Sequence, residues 1–151
     1  MNSNLDVIFT KLDSKIDNKI ESKSNSLNTL DNLLVVLYTI IKSEDNLTRE
    51  LVATILCNMS FRPTYRQRMV DSGVIDKLSL LSGTTSETIQ ELCAKCICNL
   101  TCSIEIHSAM IKYNIIQIIL MISLVRSVGI HTKQLCGKAL LNLITNDNIE
   151  Y

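Results

Sequence analysis

The chain has 151 residues, of which 46% are hydrophobic and only 4% aromatic, so one domain with an aliphatic core is expected. Its 15 basic and 15 acidic residues balance, which disfavours a general nucleic-acid binder, since such proteins are usually basic. No apolar signal core follows the N-terminus, and the longest apolar stretch, 115–125, is shorter than the roughly 20 residues of a membrane span. We therefore expect a soluble protein without a transmembrane segment, located in the cytoplasm, with the nucleus as a second compartment.

Residues 1–26 differ in character from the rest of the chain. The pattern LDSK-IDNK-IESK occupies residues 12–23, and its apolar positions recur at the spacing of one helix face. An amphipathic helix is predicted here, either as a docking helix or short coiled coil, or as a solvated helix that caps the following domain. Three turns fall short of sustained heptads, which favours the capping interpretation. The polar residues 22–29 (SKSNSLNT) indicate a linker.

Beyond this segment the sequence repeats with a period near 42 residues, which indicates stacked copies of one small structural unit. Three ten-residue segments, beginning at positions 51, 92 and 135, align as LVATILCNMS, LCAKCICNLT and LCGKALLNLI. Each contains an asparagine at the same place, and Asn58, Asn99 and Asn142 are 41 and 43 residues apart. The regular spacing predicts that these asparagines occupy equivalent positions in successive units.

Each unit is predicted to contain a short, a medium and a long helix. Pro63 suits the first turn of the short helix, where its missing N–H costs nothing, and this helix ends near Gly73. Asn114 stands at the position equivalent to Gly73, and both residue types readily adopt the left-handed conformation that ends a helix. The medium helix is predicted over about 74–81, and the long amphipathic helix over about 86–101.

In its period, its order of helices, its turn glycine and its phased asparagines, the sequence resembles the armadillo repeat family, and within it the β-catenin-like branch. The resemblance covers about residues 27–151 and implies an all-α fold, a right-handed α-α superhelix (an armadillo-type solenoid) of about three repeats after an N-terminal helix. HEAT repeats are the alternative, but they have two helices per unit and do not predict phased asparagines. The armadillo units are then 27–60 (partial), 61–101, 102–144 and the start of a further unit at 145–151.

The resemblance implies that the third, long helices line the inner face of the superhelix and that their asparagines bind the backbone of an extended peptide. Carried over residue by residue, these asparagines are Asn58, Asn99 and Asn142, each with an amide donor and an amide acceptor. A concave inner face is also where solenoids generally bind their partners. The alternative is that each asparagine only ties neighbouring repeats together.

One turn before the asparagines stand Thr54, Lys95 and Lys138. Two ammonium groups about 10 Å apart, the spacing of packed helices, suit an extended acidic segment, although the same lysines are also typical of an ordinary solvated face. Importin-α-like relatives carry tryptophan at these positions, and the absence of tryptophan here argues against the binding of basic nuclear-localisation peptides. The predicted partner-binding residues are Thr54, Asn58, Phe61, Lys95, Asn99, Lys138 and Asn142.

The six cysteines predict neither disulfides nor a metal site. Cys93 and Cys96 share one face of a helix, but Cys98 points away from Cys96, and a zinc site needs four converging ligands. Buried hydrophobic packing is the simpler interpretation. No nucleophile–base pair, paired carboxylates or phosphate-binding glycine loop is visible, and His107 and His131 are expected at the surface or at helix ends. The sequence thus predicts no enzyme activity, no cofactor and no bound metal.

A scaffold or adaptor function follows from these features: a protein–protein interaction module that holds an extended, in particular acidic, partner segment in a concave groove. The alternative is a structural piece of a larger solenoid or self-assembling complex, of cytoskeletal or ciliary type, that binds through its ends. It includes self-association through an uncapped C-terminal end, because solenoids need polar caps for solubility. The basic cluster Arg62, Arg66 and Arg68 is expected on a solvated outer face, and no nucleic-acid partner is expected.

Overall fold

The computed structural model describes residues 23–145, with side chains from residue 29 onward. Every regular element in this part of the chain is helical, which confirms the predicted all-α class. The helix predicted within residues 1–22 and most of the further unit predicted at 145–151 lie outside the described residues. The elements are α1 (Lys23–Ile40), α2 (Asn46–Ser60), α3 (Pro63–Asp71), α4 (Val74–Ser82), α5 (Glu87–Leu100), a 3-10 turn (Ile104–Ile106), α6 (His107–Lys112), α7 (Ile115–Leu124) and α8 (Ile130–Thr145).

The contacts between residues divide the chain into two compact units, Met1–Val36 and Leu37–Tyr151, and α1 contains the boundary. The linker predicted at 22–29 is wrong from Lys23 onward, because α1 already begins there. Its polar residues are outweighed by a buried apolar stripe at helical spacing, since helices in proteins are stabilised mainly by packing of one face. The stripe consists of Leu30, Leu34, Leu37 and Ile41.

The long helices α2 and α5 begin at side-chain caps that recur with the repeat. The carboxylate of Asp45 accepts hydrogen bonds from the backbone N–H and the hydroxyl of Thr48, at 2.8 and 2.6 Å, and these bonds lower the pKa of Asp45. Ser86 stands 41 residues later and accepts from the backbone N–H of Ile89 at 3.4 Å. Each cap satisfies an N–H group that the first helical turn leaves without an intrahelical partner.

The short and medium helices are joined by turns in which one residue has a positive φ. Gly73 has φ 89° between α3 and α4, and Asn114 has φ 61° between α6 and α7. The prediction that these equivalent residues adopt a left-handed conformation is therefore confirmed. Asn114 is the one non-glycine residue with a positive φ in the described chain, and asparagine is among the few residue types that tolerate this conformation.

The long helices α2, α5 and α8 pack side by side in chain order, with α5 between the other two. The medium helices α4 and α7 contact each other, α4 also packs on α5, and α7 also packs on α8, so they form a second layer. Aliphatic side chains fill the space between the layers, as the composition predicts. The largest fully buried side chains include Leu56 and Met59 of α2, Ile75 and Leu78 of α4, and Ile89, Ile97 and Leu100 of α5.

Within the described residues, no single helix has the length and hydropathy that crossing a membrane requires. The segments Ile104–Lys112 and Ile115–Leu124 reach that length and hydropathy only as a pair, and they are bent by 79° at the break between them. One face of the second segment is buried in the protein through Ile115, Ile118, Ile119 and Ile122.

Candidate binding surface

Six of the seven predicted binding residues lie on the three packed long helices, two on each helix and at equivalent positions. The seventh, Phe61, directly follows α2, and its side chain is 62% exposed. We call Asn58, Asn99 and Asn142 the amide row. We call Thr54, Lys95 and Lys138 the lysine row.

Two members of the amide row make the same contact with the helix that precedes their own. Asn99 donates through Nδ2 to the hydroxyl oxygen of Ser60 at the end of α2, at 2.9 Å. Asn142 donates through Nδ2 to the hydroxyl oxygen of Thr101, which directly follows α5, at 3.1 Å. Both asparagines therefore tie neighbouring long helices together, which is one of the two roles considered for them; the peptide-binding role stays a prediction.

The acceptor in each link is a buried hydroxyl group that is also a donor. Ser60 donates to the carbonyl oxygen of Cys57 at 2.6 Å, and Thr101 donates to the carbonyl oxygen of Cys98 at 2.8 Å. A hydroxyl fits this position because one oxygen donates to its own helix and accepts from the next. The sequence analysis missed this position, although serine and threonine end the first two aligned ten-residue segments.

The two lysines of the lysine row differ in their charge environment. The ammonium nitrogen of Lys95 lies 2.6 Å from a carboxylate oxygen of Glu91, one turn earlier on α5, and Nε2 of His131 on α8 lies 4.0 Å from the same oxygen. Gln134 stands at the position of α8 equivalent to Glu91, so Lys138 has no acidic residue one turn earlier. The excess positive charge of the surface is therefore at the α8 end, not shared equally between two lysines.

Both lysines lie against the preceding long helix. Burial raises the pKa of Cys57 on α2 to about 11, and the positive charge of Lys95 acts in the opposite direction. Burial also raises the pKa of Cys98 on α5, and there the charge of Lys138 acts in the opposite direction. Since each lysine acts on the helix before its own, the lysine row spans the same helix contacts as the amide row.

A third row, which the sequence analysis missed, is apolar. The leucine row consists of Leu51, Leu92 and Leu135, one turn before the lysine row on the same helix face. Leu51 is 50% exposed and the other two are half-buried. The signal was available, because each of the three aligned ten-residue segments begins with leucine. With Phe61, the surface offers apolar contacts beside its amide and ammonium groups.

The cysteines on these helices are packing residues. Cys93 and Cys96 are fully buried, and burial raises the pKa of both thiols, which keeps them protonated and unreactive. Cys98, predicted to point away from Cys96, is buried as well, whereas Cys102 is exposed. In the part of the chain that the structure describes, no three histidine, cysteine, aspartate or glutamate side chains form a group that could hold a metal ion.

Two residues expected near the solvent are instead bonded to the ends of long helices. Arg66 donates from Nε to the carbonyl oxygen of Ser60 at 2.8 Å and from Nη1 to the hydroxyl of Ser103 at 3.1 Å, so the prediction of a purely solvated cluster is wrong for it. His107 begins α6 but is buried, with Nε2 2.8 Å from the carbonyl oxygen of Thr101. The two residues are 41 positions apart and close equivalent helix ends.

No family model and no curated protein matches the sequence. Among solved structures the chain is similar to two engineered proteins, Northeast Structural Genomics Consortium targets OR329 and OR497. The first similarity has a TM-score of 0.62 and 20% identity and covers 76% of this chain and 44% of the other. The second has a TM-score of 0.61 and 20% identity and covers 75% and 26%. The chain thus spans less than half the length of either protein, and the similarity shows a shared fold alone.

Proposed function

We propose that the chain is an armadillo-type repeat module, a right-handed superhelix that binds an extended segment of a protein partner along the surface of α2, α5 and α8. The side-by-side order of the long helices and the left-handed turns at Gly73 and Asn114 support a stack of three-helix units. The proposed role is that of a scaffold or adaptor in the cytoplasm, without catalytic chemistry of its own.

The observation that carries this proposal is the recurrence of three rows of different chemistry on three neighbouring helices. Packed helices lie roughly 10 Å apart, and an extended chain advances about 3.3–3.6 Å per residue, so every third residue of a bound segment meets the next helix. Leucine, lysine and amide rows repeated at this interval give such a segment the same set of contacts several times. A solvated face without a partner does not require this repetition.

The rows also define the chemistry of the segment. The nitrogen of the Asn99 amide is bonded to Ser60, so its oxygen is the group that accepts a hydrogen bond from the partner's backbone N–H. Leu51, with half of its surface exposed, suits an apolar side chain. Because Glu91 neutralises Lys95, the acidic residue of the partner belongs beside Lys138. We therefore propose a segment that is mainly apolar and carries an acidic residue near α8.

The test begins with a partner identified by affinity purification and mapped with overlapping peptides. Lys138→Glu is expected to weaken binding of the mapped peptide about tenfold, because one attractive charge contact becomes repulsive. Lys112→Glu, an equal charge change at an exposed position of α6, is the matched control and should leave the affinity unchanged. Equal effects of the two variants, or none from Lys138→Glu and Leu51→Asp together, would remove the proposed surface.

A further inference from the structure

The last two helices expose positions that are covered in the preceding units. Three positions of each long helix are buried where the next long helix packs, and α8 carries Gly137, Leu141 and Ile144 at these positions. The side chains of Leu141 and Ile144 are 58% and 66% exposed. The buried counterparts are Ala53, Cys57 and Ser60 on α2, and Ala94, Cys98 and Thr101 on or directly after α5.

The medium helices show the same contrast. Ile75 of α4, which packs on α7, is 1% exposed, whereas Ile116 at the equivalent position of α7 is 43% exposed. Leu120 of α7 stands where α4 has Ser79, and it is 41% exposed. The exposed residues of α7 and α8 therefore belong to one surface, which we call the end face: Ile116, Leu120, Gly137, Leu141 and Ile144.

The end face is not a copy of the inner contacts, because its side chains are larger and more apolar. Leu141 replaces cysteine, and Ile144 replaces the hydroxyl residues that accept the asparagine amides. A further unit of the same kind would place its asparagine over Ile144, where the amide finds no hydroxyl, at a cost of about 1–3 kcal/mol for a buried unpaired donor. The same penalty applies to a second copy stacked head to tail, since its Asn58 would occupy that place.

Gly137 is a second, independent feature of the end face. It lies inside α8, where glycine costs roughly 0.5–1 kcal/mol relative to alanine, and a Cβ at this position would meet nothing within 4 Å. Nothing within the described chain therefore requires a glycine here. A glycine on an exposed helix face permits the close approach of another backbone.

We propose that the end face is the interface between two copies of this chain, related by a two-fold axis, with the two α8 helices antiparallel and crossing near Gly137. A two-fold contact places the same patch on both sides, so the five uncharged residues of the end face need no complementary charges. In this arrangement Lys133, at the N-terminal side of the patch, lies near the C-terminal turn of the other α8. A cation is stabilised there by the helix dipole.

The main test is sedimentation velocity of the full chain over a range of protein concentrations. The wild-type protein is expected to form a dimer, and the double variant Leu141→Glu/Ile144→Glu to raise the dimer dissociation constant on the order of 100-fold, because four central apolar contacts per dimer are lost. Leu80→Glu is the matched control, since Leu80 on α4 is 53% exposed but lies outside the end face. All three altered positions are exposed in one copy, so circular dichroism should show the same helix content in every variant.

A disulfide test distinguishes the two-fold arrangement from other dimers. Gly137→Cys, combined with Cys102→Ser to remove the exposed native thiol, should form a disulfide between two copies under mild oxidation, because the crossing brings the two positions within bonding reach. A wild-type protein that stays monomeric at all concentrations would overturn the proposal. So would open-ended polymers, a dimer that tolerates the double glutamate variant, or a folded Gly137→Cys variant that forms no cross-link.

Discussion

The inner contacts between long helices and the end face of α7 and α8 use equivalent positions in opposite ways. At the inner contacts these positions hold small side chains, and Ser60 and Thr101 are hydrogen-bonded to the asparagine of the next helix. At the end face they hold Leu141 and Ile144, which are large, apolar and exposed. The comparison teaches that the repeat determines where a neighbour packs, whereas the side chains at those positions determine whether that neighbour is another unit of the same kind.

The largest expected difference between the two regions is in the free energy of unfolding. Ile97→Ala removes a side chain that is 1% exposed in the contact of α5, and it should cost about 2–5 kcal/mol through lost burial and a residual cavity. Leu141→Ala at the end face should cost less than about 0.5 kcal/mol in the monomer. Urea unfolding at low protein concentration measures both values. Similar costs for the two variants would show that the end face is covered within a single chain.

Two glycines should respond to alanine with opposite signs. Gly73→Ala forces a side chain into a left-handed conformation at φ 89° and should lower the stability by about 1–2 kcal/mol. Gly137→Ala meets no neighbour and improves helix propensity, so it should raise the stability of the monomer by roughly 0.5–1 kcal/mol. Thermal unfolding of dilute protein tests the pair. A destabilising Gly137→Ala would mean that the glycine has a packing role inside the chain.

The asparagine links should contribute a smaller amount, and they can be compared within the amide row. Asn99→Ala loses the hydrogen bond to Ser60 and should cost about 1 kcal/mol. Asn58→Ala is the matched control, because Asn58 makes no link to a preceding hydroxyl in the described part of the chain, and its cost should be smaller. Chemical denaturation at one pH gives both values, and an Asn58 variant that is the more destabilised would contradict the assignment.

Alkaline pH is expected to have the most gradual effect. Burial raises the pKa of Cys57 from 9.0 to about 11, so the folded protein keeps this proton where the unfolded chain has lost it. The stability contributed by this difference is complete below pH 9 and is lost as the pH rises through 11. Unfolding midpoints over this range should fall less steeply for Cys57→Ala. At pH 8 a thiol reagent should modify exposed Cys102 well before the buried cysteines, and equal rates would contradict their burial.

The parts of the fold that follow from local rules were predictable from the sequence. Gly73 and Asn114 were predicted to be left-handed because few other residue types tolerate that conformation, and both are. The helix beginning at Pro63 and the burial of Cys93 follow from proline geometry and from the apolar periodicity. The linker at 22–29 was wrong because its composition was weighed without the buried stripe that follows it.

The parts that depend on contacts between distant residues were not predictable in the same way. The offset between Asn99 and Ser60 becomes visible only when one helix packs on the next. Arg66 was assigned to solvent because its bond to the end of α2 depends on how α3 folds back. The neutralisation of Lys95 by Glu91 was foreseeable from the spacing of four residues, but the contact of Glu91 with His131 on α8 was not.

The central claim is that equivalent residues make equivalent contacts along a stack of repeating units. The most direct measurement is a pair of double-mutant cycles, one with Asn99→Ala and Ser60→Ala, the other with Asn142→Ala and Thr101→Ala, followed by urea unfolding. A coupling energy of about 1 kcal/mol in both cycles is the predicted result. Negligible coupling in both, or coupling in only one of them, would contradict the stacking in register on which the binding surface and the end face depend.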